Sequence, residues 1–98
     1  MTTVTVKHPG AAEILELAAQ HIRDRAALRD TPSGERSMAK TVAAFNAMFG
    51  KDLTETQGWQ FMELLKMVRS TQGAPREDNH VDGAAYAALA GEARMKGA

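Results

Sequence analysis

The stretch Thr54-Glu55-Thr56-Gln57-Gly58-Trp59-Gln60-Phe61-Met62-Glu63-Leu64-Leu65-Lys66-Met67-Val68-Arg69 decides the fold class. It opens on a capping box, in which the Thr54 hydroxyl and the Gln57 amide satisfy each other's orphan backbone donors. The helix this starts runs from Glu55 to about Gln72, where Gly73-Ala74-Pro75 ends it. At 100° per residue, Phe61, Leu64, Leu65 and Val68 gather on one side, the expected core face. Trp59, Met62, Lys66 and Arg69 fall on a separate arc roughly 80–160° away. An ordinary surface helix is polar there, so this second face reads as a further core contact, a subunit interface, or a ligand wall in which cations meet an anion.

Three more helices surround this one. The first is expected from Ala11 to Arg29, entered through His8-Pro9-Gly10, with Leu15, Ala18, Ala19, Ile22 and Ala26 as its core stripe. Its far end carries Arg23, Asp24, Arg25 and Arg29, a basic excess that complements the negative end of the helix dipole and reads as a solvated helix end or an anion site. The second spans Glu35 to Phe49, capped by Thr31 or Ser33. Met38, Val42, Phe45 and Phe49 are its apolar stripe, and Gly50 stands where a left-handed residue is wanted. The last runs from about His80 to Lys96, capped by Asp78 or Asn79, and Val81, Ala84, Ala85, Ala88 and Leu89 give it a small-residue face that permits close approach. Weak Thr/Val alternation over Met1–Lys7 reads as an arm. The sequence therefore predicts an all-α, four-helix bundle-like domain over residues 10–98, with a flexible or short extended arm over residues 1–9.

Composition narrows the function. With 98 residues, 12 Lys+Arg and 12 Asp+Glu, the chain lacks the basic excess of a general nucleic-acid binder. The absence of cysteine excludes a disulfide framework, a thiolate zinc site and a cysteine nucleophile. No apolar run approaches the roughly 18 residues that span a bilayer, and the N-terminus lacks the pattern of a signal peptide. A cytoplasmic protein without membrane association is expected. Alanine, the commonest residue, buries little area, so a monomeric core would be thin. Homo-oligomerisation, with Trp59 or Met62 covered by another chain, is the corresponding expectation.

The polar residues offer limited chemistry. Glu13 with Glu16, Glu63, and Asp78 with Asp82 are the carboxylates that hard cations would require. Asp82 lies one turn inside an apolar helix, and a buried carboxylate there needs Lys66, Arg69 or Tyr86 as partner. Asp82 and Tyr86 are i,i+4 neighbours on one face. His8, His21 and His80 occur at no metal-binding spacing. Phosphate-cradling glycine loops and a Gly-x-Ser-x-Gly elbow are absent, whereas Gly34-Glu35-Arg36-Ser37 forms an anion-binding corner or an ordinary helix start.

The strings Gly34-Glu35-Arg36-Ser37-Met38, Gly58-Trp59-x-Phe61-Met62-x-x-Leu65-Lys66-x-x-Arg69 and Asp82-Gly83-Ala84-Ala85-Tyr86-Ala87-Ala88-Leu89-Ala90-Gly91-Glu92 together resemble a family of small tailed-phage and prophage proteins. The likeness covers most of residues 11–96. It implies a phage origin, a host-cytoplasmic location and a polar signature of Lys66, Arg69, Asp78, Asp82 and Tyr86, and it brings no established activity. More distantly, a four-helix chain with an acidic opening to its last helix is similar to the MazG-like nucleotide pyrophosphohydrolases. Those enzymes resemble one another in paired acidic motifs, Mg²⁺ binding and oligomeric assembly. Here Glu63 is followed by Lys66 rather than a second acid, close to the opposite electrostatic design.

The leading expectation is a non-enzymatic, oligomeric binding protein without cofactor or metal. Arg36, Trp59, Met62, Lys66, Arg69, Asp82 and Tyr86 would hold a host protein or an anionic, nucleotide-derived small molecule, and in a phage setting such sequestration counters host defence. The alternatives are a Mg²⁺-dependent pyrophosphohydrolase using Glu63, Asp78 and Asp82, and a structural or assembly protein.

Overall fold

The computed structural model describes residues 8–29 and 37–98, which form four α-helices and no strand. They are α1 (Ala11–Arg29), α2 (Ser37–Phe49), α3 (Glu55–Ser70) and α4 (Glu77–Met95). The capping box forms: the Thr54 hydroxyl accepts from the Gln57 N–H at 3.1 Å, and the Gln57 side chain accepts from the Thr54 N–H at 2.9 Å. Between α2 and α3 the chain turns through Gly50, whose φ of 64° suits a residue without Cβ. Asn46 then clamps the corner, accepting from the Leu53 N–H at 2.9 Å and donating to its carbonyl at 3.0 Å. The arm over residues 1–7 and the caps Thr31 and Ser33 lie outside the described residues.

The start of α4 differs from expectation. Arg76, in extended conformation, is the N-cap and supplies no side-chain cap bond. Asp78 instead sits in the first turn, where Arg76 Nε donates to its carboxylate at 3.3 Å. An acidic first turn satisfies the helix dipole without an Asp or Asn at the cap, so the helix begins ahead of Asp78.

Among the described residues the helices contact one another in the order α1, α4, α3, α2, with α4 packed on both α1 and α3, and α2 on α3. Two small cores fill the seams of α4. Ala18, Val81 and Ala85 close the seam with α1, flanked by Ile14, Ile22 and Ala84. Trp59, Ala90 and Ala93 close the seam with α3, flanked by Met38, Tyr86 and Leu89. Ile14 takes the place expected of Leu15, which is exposed. Alanines dominate both clusters, so the core is indeed thin.

The largest correction concerns α3, whose expected core residues Phe61, Leu64 and Val68 face outward while Trp59 is 6% exposed and buried within its own chain. The reason lies in α4: Ala90 and Ala93 leave a gap that one indole fills better than a row of branched side chains. Turning this face to α4 also brings Lys66 onto Asp82. Phe45 and Phe49 of α2 are likewise exposed and pack on each other, ring centroids 4.8 Å apart, with only Val42 of the α2 stripe buried. Gly58 is where α2 seats on α3: a Cβ there would lie 2.5 Å from Met38 Sδ and 2.7 Å from Val42 Cγ2.

Candidate polar site in the first turns of α4

Asp82 sits in the second turn of α4, on the face that meets both neighbours, and its carboxylate lies between them. Lys66 Nζ of α3 reaches Asp82 Oδ2 at 2.9 Å, with side-chain exposures of 12% and 20%, so the ion pair is largely withdrawn from water. From α1, His21 Nδ1 stands 3.8 Å from Asp82 Oδ1, beyond direct hydrogen-bond range and close enough to pair when protonated. Of the three partners the sequence offered Asp82, Lys66 is the one it takes. The pair joins the consecutive helices α3 and α4 and cancels the charge of an otherwise costly buried carboxylate.

On the α1 side, His21, Ile22, Arg25, Asp82, Ala85, Tyr86 and Leu89 line a cleft of ≈ 380 Å³, counting the space open to solvent. Its floor is the half-buried Tyr86, which stacks on Trp59 with centroids 5.9 Å apart and planes 25° from parallel. Trp59 is thus the support beneath Tyr86, and its indole N–H donates to Glu55 Oε2 at 3.3 Å. It lies too deep to stack on a ligand, and Met62 is half-buried beside it.

On the opposite side, Lys66, Arg69, Gln72, Arg76, Asp78 and Asn79 line an open groove of ≈ 660 Å³ at the start of α4. Arg76 bonds Asp78, whereas the exposed Arg69 has no ion-pair partner among the described residues. With Lys66 paired to Asp82 and Arg76 to Asp78, the groove carries one uncompensated cation, Arg69, beside helix N–H groups that no side chain caps.

The seven expected binding residues therefore separate. Lys66 and Asp82 meet, Tyr86 and Asp82 share the cleft, Lys66 and Arg69 share the groove, Trp59 is buried, Met62 is half-buried outside both cleft and groove, and Arg36 falls outside the described residues. The metal alternative finds no geometry: no three His, Asp or Glu among the described residues gather to hold an ion, so Glu63, Asp78 and Asp82 do not converge. Three more residues line these surfaces: the sequence set His21 aside as a metal ligand, placed Arg25 only in the basic end of α1, and gave Arg76 no role. His21 and Arg25 lie on the same side of α1 as Ala18 and Ile22, at i+3 and i+7 from Ala18, a helical signal that was available. Arg76 precedes its helix and gives no periodic signal.

The family model described as Domain of unknown function (DUF6378) matches residues 13–94, more than four-fifths of the chain. The chain belongs to this family. Every residue of the polar site falls within the matched span, so the site belongs to the family domain itself. No match was found among curated proteins or among solved structures.

Proposed function

We propose that this DUF6378 protein is a non-enzymatic binding module for a phosphate-bearing small molecule, held in the groove where α4 begins. One observation carries the reading: Lys66, Arg69 and Arg76 line one open groove beside the uncapped start of α4. Planar guanidinium groups with fixed donors suit phosphate oxygens, and the uncapped N–H groups add a positive partial charge. The Lys66–Asp82 pair is the fixed point from which Arg69, one turn further along α3, is aimed. In the phage setting that the sequence resemblance implies, an oligomeric module of this kind sequesters a nucleotide-derived signal in the host cytoplasm.

Calorimetry with nucleoside triphosphates, cyclic dinucleotides and inorganic pyrophosphate tests this. Binding of at least one of them is expected, weakened roughly tenfold by Arg69→Ala, the effect of losing one charge-assisted contact. A folded sample that binds none of them would falsify the small-molecule reading.

A further inference from the structure

The outward face of α3 is the least expected surface of the molecule. On the helical wheel, the arc from Met67 through Gln60, Leu64, Gln57, Val68 and Phe61 to Leu65 spans about 160°. It contains no charged residue. All four charged side chains of α3, Glu55, Glu63, Lys66 and Arg69, fall on the other side, toward α4 or its margins. This inverts the ordinary arrangement, in which a surface helix turns its charges to water and its apolar stripe to the core. Phe61, Leu64, Met67 and Val68 on this arc are each between 55% and 68% exposed.

Helix α2 continues the anomaly. Its sequence, Ser-Met-Ala-Lys-Thr-Val-Ala-Ala-Phe-Asn-Ala-Met-Phe, holds a single charge at Lys40, the composition of a helix buried all round. Only Val42 is buried, while Phe45, Met48 and Phe49 are 40% to 76% exposed. Asn46 fixes α2 to the start of α3, so both helices present one rigid corner.

We infer that this corner is the interface between two copies of the chain, closed by a two-fold axis across the outward face of α3. The area is sufficient. At their exposures, the seven large apolar side chains of α2 and α3 leave on the order of 800 Å² in water, taking ~200 Å² for each complete side chain. A standard interface buries about 800 Å² per partner. The occupant follows from charge. In a two-fold contact a surface meets itself, so any charge cluster meets its like, and a face emptied of charge is the one that self-pairs without penalty. A partner chosen by electrostatics would have left charged residues on the arc. This places the subunit contact opposite the face of Trp59, which α4 already covers. It deepens the oligomeric part of the proposed function and is independent of the ligand groove.

Sedimentation of the wild-type chain at tens of micromolar, with Phe61→Glu and Val68→Glu beside it, tests the inference. The wild type should sediment at twice the 10.6 kDa chain mass. Each glutamate variant should self-associate roughly thirtyfold more weakly or worse, the scale of losing a central anchor. Because both positions are exposed in the single chain, helicity by circular dichroism should be unchanged. The chain has no cysteine, so Leu64→Cys also provides a unique probe, which should form a disulfide-linked dimer on mild oxidation while Gln20→Cys on α1 does not. Where a glutamate variant loses helicity, the cross-link decides. A monomeric wild type, a mass other than two chains, a dimer that survives both glutamates, or Leu64→Cys cross-linking no better than Gln20→Cys overturns the inference. A dimer that survives both glutamates would leave the oligomeric reading standing and reject only this face, and nucleotide binding is scored separately by calorimetry.

Discussion

Replacing Asp82 by Asn removes one charge from the pair that links α4 to α3 while keeping the shape of the side chain. At an effective dielectric near 20, unit charges 2.9 Å apart attract by about 6 kcal/mol before solvation is counted. Most of that is offset by the cost of withdrawing both groups from water. Breaking a fully buried pair costs roughly 3–5 kcal/mol, because the surviving charge is left without compensation. Lys66 is 12% exposed and Asp82 20%, so some water reaches the survivor, and the Asn oxygen still accepts a hydrogen bond. We therefore expect a loss of ~2–3 kcal/mol, which for a domain of this size lowers Tm by roughly 10–20 °C. Removing both charges should be far milder: Lys66→Met with Asp82→Leu should lie within about 1 kcal/mol of wild type, since two apolar side chains pack without desolvation cost. The assay is urea unfolding followed by circular dichroism at one fixed protein concentration, because association would otherwise shift the midpoints. An Asp82→Asn variant within about 0.5 kcal/mol of wild type, or a double variant as unstable as the two single losses added together, refutes the assignment.

Four further outcomes follow from packing. Gly58→Ala should destabilise by about 1–2 kcal/mol, since Met38 can move aside but Val42 is constrained, and this outweighs the better helix propensity of alanine. Gly91→Ala, whose added methyl meets nothing within 4 Å, should stabilise by about 0.5–1 kcal/mol, and paired thermal melts compare the two. Thr56 holds a buried hydroxyl oxygen with no hydrogen-bond partner among the described residues, so Thr56→Val should raise stability by about 1 kcal/mol in urea unfolding; a loss would mean the hydroxyl is satisfied. Trp59, the sole tryptophan, should emit at the short wavelengths of a buried indole and shift red on unfolding, and water-like emission from the folded chain would contradict its placement.

Helix positions were legible in the sequence wherever a local device marks them. The Thr54/Gln57 box and Gly50 each act within a few residues, and both boundaries fall where those residues put them. Arg76 carries no such device, and the start of α4 was accordingly misread. Which face of α3 turns inward was not legible at all. Periodicity ranks faces by apolar bulk, and bulk favours Phe61, Leu64 and Val68. The choice was made by α4, whose alanines accept one indole and whose Asp82 requires a cation. The site followed the same rule. Lys66, Asp82 and Tyr86 stand out on their own helices, whereas His21 becomes relevant only once α1 lies against α4.

The order α1, α4, α3, α2 gives the molecule two unlike borders, much as a sheet has two edges. The α1 border interleaves Leu15, Leu17 and Leu28 with Glu13, Glu16, Arg23 and Asp24, so any apolar surface laid on it would strand charges. The α2 and α3 border is nearly bare of charge. Head-to-tail stacking, which would press one kind of border on the other and propagate into a filament, is therefore disfavoured at every step. In the two-fold contact proposed above, this border meets the same border of a second molecule, and growth stops there.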